Sequence, residues 1–561
     1  MSEAPRLPRN KQYVYRVMWN DDGGMAGHYH PPLSAERFRQ IHLGYLRGYP
    51  VDTYLYPIAY SGYTTTFPTE SRGYAFIIDR LRNAEDFGGH KGLHQYRFVE
   101  NFRQLWDAGH DPTALLLDEA RGLGIDFWLH LRMNDWHHWD AIEEDPKRPG
   151  LPVGLNLFSS PFYEEHPEYL IGAEGIAAYH GAKPPAAMRF FQDFRHEEVR
   201  ESRLEVLVEA CERYDIDGFH YDFMRIPGFF PIGREQESAP LMTDLIRRSR
   251  AELDRIGSAR GRRLGFAVRV PSTVAGARTI GLDVATWIEE GLVDIVVPSC
   301  FFCTDLAVDM TEWVEMARDT PVCIHAGLEE AYRGGYPGNS DLFALDYGTT
   351  PARQLMPNKM INAVAAKHWA QGVDGIYLFN WACKTGEGNR LPLDNLPDPV
   401  RLRYRDKLYP LMRRDGQYEY CDVHGAPLPA HLGAEPLVAQ LQIADDPGAA
   451  ADRVEDCRLW LHLLNASAED EIEVQLNGHS LACVNPLLPG TMETPVWLRY
   501  GPSPEQLREG DNELRISLVA RHLPQQVQEA APIEVADVEL EIRYRFPDGF
   551  GAATRGFRPR T

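Results

Sequence analysis

Apolar and polar positions alternate strictly through Asp217-Gly218-Phe219-His220-Tyr221-Asp222-Phe223-Met224-Arg225. Successive side chains of a strand face opposite ways, so Phe219 and Tyr221 share one face while His220 and Asp222 share the other. The same period runs through Leu129-His130-Leu131-Arg132-Met133-Asn134 and through Phe266-Ala267-Val268-Arg269-Val270. In these segments an apolar face is ready to pack on helices and an ionisable face turns inward. β-rich apolar runs predict strands over 13–18, 51–58, 125–133, 216–222, 264–270, 293–299, 321–326 and 375–379. Helical signals lie between them. Asp111-Pro112 reads as an N-cap with proline at the first helical position. Leu204, Leu207, Val208 and Cys211 follow helical spacing, as do Met242, Ile246, Ser249, Leu253 and Ile256. Strand and helix alternating in this way, without hairpin signals, predict an α/β fold, a (β/α)8 TIM barrel. About 65 residues separate the second and third strands and roughly 80 the third and fourth, and barrel loops this long usually build the site.

From residue 412 the pattern changes to short alternating strands over 459–465, 472–476, 479–484, 512–519 and 538–545, punctuated by turn residues such as Asn477-Gly478. The expected division is a barrel over 1–411 and a C-terminal antiparallel β-sandwich over 412–561. Of the eleven tryptophans only Trp460 and Trp497 fall in the second part, so a structural appendage is expected rather than a sugar-stacking module. A net charge of −23 argues against nucleic acid or an anionic membrane as partner. No apolar run approaches the ~20 residues that span a bilayer, and no apolar leader follows Met1. Eight cysteines, sparse and placed inside elements, suggest reduced thiols and a cytoplasmic setting. The oligomeric state is left open.

Candidate chemistry collects at the C-terminal ends of the strands. Arginines and a carboxylate inside a barrel are costly unless they pair. Asp222, near Arg225, Arg269 or Arg132, is expected to stay ionised, as a nucleophile or a stabiliser of an oxocarbenium ion. The general acid is sought in a second carboxyl, with Asp305, Glu329, Glu330 and Asp135 as candidates. Asp305 and Glu329 equally suit a helix cap or a loop charge. Asp21 and Asp22 lie in a Gly-rich turn that suits capping. Trp19, Trp136 and Trp381 offer aromatic faces to a sugar, and Asn134 and Asn380 offer amides. Asp135, His137, His220 and His325 complete the expected lining, and the excess of inner-face arginine predicts a uronate or sulfate on the sugar. No metal or cofactor is expected: His137 and His138 point apart in an extended segment, and Cys300-Phe301-Phe302-Cys303 lacks a second ligand pair.

On His196-x-Glu-Val-Arg200, Tyr214-Asp215-Ile216-Asp217-Gly218 leading to Asp222 and Arg225, Arg132-Met133-Asn134-Asp135 and Gly281-Leu282-Asp283, the chain resembles the glycosyl-hydrolase-like family 10 proteins. These are a bacterial group of (β/α)8 barrels, and the likeness covers roughly residues 10–400. It implies a glycosidase-type barrel with Asp222 as the catalytic carboxylate. The segment also parallels the Asp-Gly-Phe-Arg-x-Asp strand of α-amylase-like enzymes. Here His220 replaces the arginine, and the fifth strand ends without the glutamate of that pattern. Asp305 would then be the acid, as in α-galactosidase-like barrels, or the acid would be missing. The expected function is hydrolysis of O-glycosidic bonds in a carbohydrate substrate. The alternatives are a non-catalytic glycan-binding barrel and a metal-dependent barrel hydrolase or lyase using His137, His220 and His325.

Overall fold

The computed structural model describes residues 11–80, 93–135, 137–138, 157–179, 186–333, 354–381, 393–414, 420–421, 425–486, 496–521 and 523–545. Trp136 lies outside them. The strands β1 Val17–Asn20, β2 Thr53–Pro57, β3 Asp126–Arg132 and β4 Gly218–Asp222 are followed by β5 Gly265–Pro271, β6 Ile295–Ser299, β7 Cys323–Glu329 and β8 Gly375–Phe379. All eight are parallel and close in the order β1-β8-β7-β6-β5-β4-β3-β2, the barrel that the sequence predicts. Helices intervene between them, among them α1 Ala35–His42, α2 Leu93–Asp107, α3 Pro112–Leu123, α4 Glu197–Arg213, α5 Glu235–Ala259 and α6 Asn358–Ala370. The capping chemistry is as read: the Asp111 carboxylate accepts from the Thr113 and Ala114 N–H groups ahead of α3.

Two strands differ from expectation in ways that matter to the site. The first begins four residues late, because Tyr13 and Tyr15 lie below the ladder with their rings edge-on to the Trp128 indole. The seventh runs to Glu329, paired with Phe379 of β8, so Glu329 belongs to the strand end and not to the loop beyond it.

Packing sorts the alternating residues as the pattern requires. Leu129, Leu131, Phe219, Tyr221, Phe266 and Val268 join the layer between barrel and helices. Met18, Leu55, Trp128, Ala267, Ile295, Val297, Cys323, Tyr377 and Phe379 form the inner cluster. Trp128 floors this lumen. It fits because its neighbours on β4 and β5 are glycines: a Cβ on Gly218 would sit 2.5 Å from the indole and one on Gly265 2.3 Å from it.

The C-terminal strands are β9 Lys407–Pro410, β10 Leu437–Ile443, β11 Val454–Leu464, β12 Glu471–Leu476, β13 His479–Leu481, β14 Val496–Tyr500, β15 Gly510–Ala520 and β16 Glu534–Tyr544. They form two antiparallel sheets, β9-β16-β11-β14 and β10-β15-β12-β13. Asn477 and Gly478, both at positive φ (50° and 79°), make the tight turn between β12 and β13. Since β9 already pairs with β16, the first sheet starts ahead of residue 412. It stays tied to the barrel through the Lys359–Glu541 ion pair and the Asn362 amide donating to the Asp406 carbonyl. No helix of the described residues is long and apolar enough to cross a membrane.

The boxed indole gives a direct test of the floor. Gly265→Ala is expected to lower stability by about 1–3 kcal/mol, the usual cost of overpacking a rigid core. Chemical denaturation checks this, and an unchanged midpoint would mean that Trp128 is free to move.

Candidate active site

At the C-terminal mouth the ionisable faces of β3, β4, β5 and β7 converge. Asp222 ends β4 and is 1% exposed. Its Oδ1 accepts from the Met224 and Arg225 N–H groups, each at 2.8 Å, and its Oδ2 lies 3.3 Å from Arg269 Nη1. The other end of the Arg269 guanidinium donates to Glu329 Oε1 at 2.7 Å and to Ser299 Oγ at 2.9 Å. Its flat face rests on Phe379, 3.9 Å from the ring centre. One arginine from β5 thus links the ends of β4, β6 and β7. Burial opposes its charge, but Asp222 and Glu329 more than restore it and hold the guanidinium above its ordinary pKa. Burial likewise pushes the Asp222 carboxyl up, yet Arg269, His220, His130 and the Met224 N–H together hold it below the usual carboxylate range. Asp222 is therefore a carboxylate at neutral pH.

A second linkage stands beside the first. Arg132 at the end of β3 bonds both Asp22, in the turn after β1, and Asp135 at 3.0 Å. Burial works against these two carboxylates as well. Arg132 and Arg225 hold Asp22 low, while His137 and Arg132 hold Asp135 low. Asp135 also receives the His137 Nδ1 at 2.5 Å and the His137 N–H. Arg225 has its guanidinium 3.8 Å from Asp22 rather than on Asp222.

Below the mouth the lumen is polar but uncharged. His220 stacks on Tyr377, with ring centres 5.5 Å apart, and faces His130 at 6.1 Å. Burial pushes His220 and His325 down to about 3, so both imidazoles are neutral. Among the described residues the His220 ring, the Tyr377 hydroxyl and the Asn20 amide find no hydrogen-bond partner.

Several expected residues stand elsewhere. Trp19 points out of the barrel and packs edge-on to Tyr45, because β1 alternates Met18 and Asn20 inward. The Trp381 indole is 1% exposed and donates to the Leu328 carbonyl. Asn134 uses its amide on the Gln192 and Gly228 carbonyls, the Gln192 N–H and the Tyr63 hydroxyl, so it ties loops together. Asp305 accepts from the Ala307 N–H, outside the Arg269 linkage, and its charge supports that of Lys367 of α6, which donates to the Leu306 carbonyl. His325 sits deep in the lumen where Gly375 leaves it room, and Asn380 ends β8 in the left-handed region at φ 58°. His137, His220 and His325 are thus spread from loop to floor. Among the described residues no three His, Cys, Asp or Glu side chains are arranged to hold a metal ion.

The residues that the pattern underrated are Asp22, Asn20 and Tyr377. Alternation marks Asn20 and Tyr377 as inward-facing. The Gly-rich turn hid Asp22, because its cap function falls to its neighbour: Asp21 accepts from the Gly23 N–H, His42 and Tyr54.

No protein-family model and no curated protein matches the chain, so the resemblance to glycosyl-hydrolase-like family 10 rests on its own residues. Solved structures similar to it are barrels of carbohydrate-active enzymes. A cycloisomaltooligosaccharide glucanotransferase from Paenibacillus sp. is 10% identical over 96% of this chain and 58% of its own, with a TM-score of 0.32. The chain thus spans little more than half of that protein's length. The PgaB (BpsB) glycoside hydrolase domain from Bordetella bronchiseptica is 9% identical over 69% of this chain and 98% of its own, with a TM-score of 0.37. A glycoside hydrolase family 18 N-acetylglucosaminidase from Paenibacillus barengoltzii is 13% identical over 69% and 99%, with a TM-score of 0.32. Likeness at this level decides nothing about activity, and the fold stands on the strand order of this chain.

The neutral lumenal histidines set a pH dependence. A histidine held below its unfolded value of about 6.5 contributes stability that is present above that pH and lost as pH falls toward its folded value. His220 and His325, each pushed down to about 3, are therefore expected to cost stability between pH 6.5 and 5, about 2 kcal/mol apiece by pH 5. Denaturant unfolding at pH 7.5 and pH 5 checks the sign, and equal stability at both would show the lumen to be open to solvent.

Proposed function

We propose that the chain is a glycoside hydrolase that cleaves an O-glycosidic bond of an oligosaccharide or polysaccharide fragment at the barrel mouth. Asp222 is the ionised carboxylate that faces the anomeric carbon, as nucleophile or as stabiliser of the oxocarbenium ion. Glu329 donates the proton to the leaving oxygen. The observation that carries this reading is the shared guanidinium of Arg269, with Asp222 on one end and Glu329 on the other. A single guanidinium holds two such carboxyl oxygens within roughly 8 Å of each other. Carboxyl pairs that hydrolyse glycosides stand ~5–9.5 Å apart.

The division of labour follows from the surroundings. Asp222, Asp22 and Asp135 are held ionised, so none of them carries a proton to give at neutral pH. Asp305 accepts from the Ala307 N–H and is not on the Arg269 guanidinium. Glu329 shares the guanidinium with Asp222 and at rest is a counter-ion of Arg269, so as the acid it must first take up a proton from solvent when the sugar binds. In the reaction its proton passes to the glycosidic oxygen as the bond to the anomeric carbon breaks. The charge that develops on the sugar ring is met by Asp222, preorganised by two backbone N–H groups and Arg269. Water, activated by Glu329 once it is a carboxylate, or by a second base in an inverting reaction, completes hydrolysis. We place the enzyme in the cytoplasm on its sparse cysteines, of which Cys211 and Cys323 are buried thiols.

Reducing-sugar release from a panel of neutral and acidic oligosaccharides tests the roles. Asp222→Asn, nearly isosteric, is expected to lose on the order of 10³-fold or more in kcat. Glu329→Gln is expected to lose roughly 10²–10⁴-fold on natural glycans and far less on an aryl glycoside whose leaving group needs no proton. Equal activity of Asp222→Asn and wild type would remove Asp222 from the chemistry. Retained binding without release from any glycan would favour a glycan-binding barrel.

A further inference from the structure

Three arginines reach the mouth, and two of them have both Nη atoms engaged, with only Nε unpartnered among the described residues. Arg132 bridges Asp22 and Asp135, and Arg269 bridges Asp222 and Glu329. Arg225 differs. Its nearest carboxylate is Asp22 at 3.8 Å, and Asp22 is already bonded to Arg132. Among the described residues Nε and Nη1 of Arg225 find no hydrogen-bond partner, and the residue is only 8% exposed. A buried charged donor without an acceptor is destabilising, so such a group persists where a ligand completes it.

The surroundings of Arg225 hold it in place without satisfying it. Its guanidinium lies 4.9 Å from the centre of the Phe302 ring and 5.9 Å from that of Phe379. Phe302 takes a left-handed backbone conformation at φ 59°, which costs energy for a bulky residue and is kept where the surroundings impose it. Aromatic faces favour the cation but accept none of its fork of N–H groups. The Arg225 backbone N–H bonds Asp222, so the side chain is anchored three residues from the reacting carboxylate. The Nη1/Nη2 end of this planar fork, with Nη1 unused and Nη2 3.8 Å from Asp22, matches a carboxylate or sulfate, which a neutral hydroxyl does not.

We infer that Arg225 is the receptor for an anionic substituent, a carboxylate or sulfate, on the sugar bound beside Asp222. The inference rests on the carbohydrate reading of the site and adds the class of sugar.

Titration calorimetry tests it without requiring turnover. The probes are tetrasaccharides of galacturonate and of sulfated chondroitin, each beside its carboxyl-reduced or desulfated neutral form. The proteins are the full-length wild type, Arg225→Gln and Arg225→Lys, with thermal unfolding as a check on folding. At least one acidic probe is expected to bind wild type about ten-fold or more tighter than its neutral partner. That preference is expected to vanish in Arg225→Gln and to return in part in Arg225→Lys, which keeps the charge and loses the fork. A carboxylate-only or sulfate-only response names the substituent. Neutral forms bound as tightly as acidic ones, a preference that survives Arg225→Gln, or no binding of any acidic probe would each overturn the inference. Turnover separates it from the proposed activity. Cleavage of neutral glycans with no acidic preference removes the role of Arg225 alone, and an Arg225-dependent preference with full activity in Asp222→Asn removes the hydrolytic assignment alone.

Discussion

A guanidinium buried inside a parallel barrel governs the rest of this site. Arg269 enters from β5 at a depth where water does not reach, and its charge is tolerable only because Asp222, Glu329 and Ser299 meet it from three other strands. The arrangement binds in both directions. The carboxylates keep the arginine charged, and the arginine keeps Asp222 ionised and aimed. It also fixes the spacing of the two carboxyls, which in carboxylate-pair chemistry decides whether a bond can be attacked from one side and protonated from the other.

Polarity rises along the barrel axis in steps. The floor is apolar and closed by Trp128, which fits between Gly218 and Gly265. Above it lie neutral polar groups, His220, His325, Tyr377 and Asn20, with burial keeping the two imidazoles uncharged. The arginine–carboxylate linkages stand at the mouth, and a Lys11–Asp374 pair lies at the opposite end, ahead of β8. Desolvation accounts for this order, because an ion is affordable only where counter-ions and N–H groups can surround it. The strand ends supply them, since several chain segments converge there.

Much of this was legible along the chain. The period of two in β3, β4 and β5 assigned His130, Arg132, His220, Asp222 and Arg269 to the inner face, because one buried outer face leaves no other register. It also assigned strand and helix in the right order. The strands Leu437–Ile443 and Val496–Tyr500 were not anticipated, since their outward positions carry apolar or mixed residues and blur the alternation. The Trp19 indole misled for a related reason. It suggested a sugar platform by its nearness to a strand end, but a large ring there packs as readily under loops, and this one does.

The sequence by itself determined the class of fold, the inward residues of each strand and the ionised character expected of Asp222. These depend on local periodicity and on the cost of burying charge, which any segment reveals alone. Tertiary structure decided the partners. That the guanidinium of Arg269 and not that of Arg225 holds Asp222, that Glu329 shares it while Asp305 does not, and that Asp22 joins the mouth all depend on which strands closure makes neighbours and how far β7 extends. Closing the barrel brings together residues more than a hundred positions apart, and no pattern along the chain records that distance.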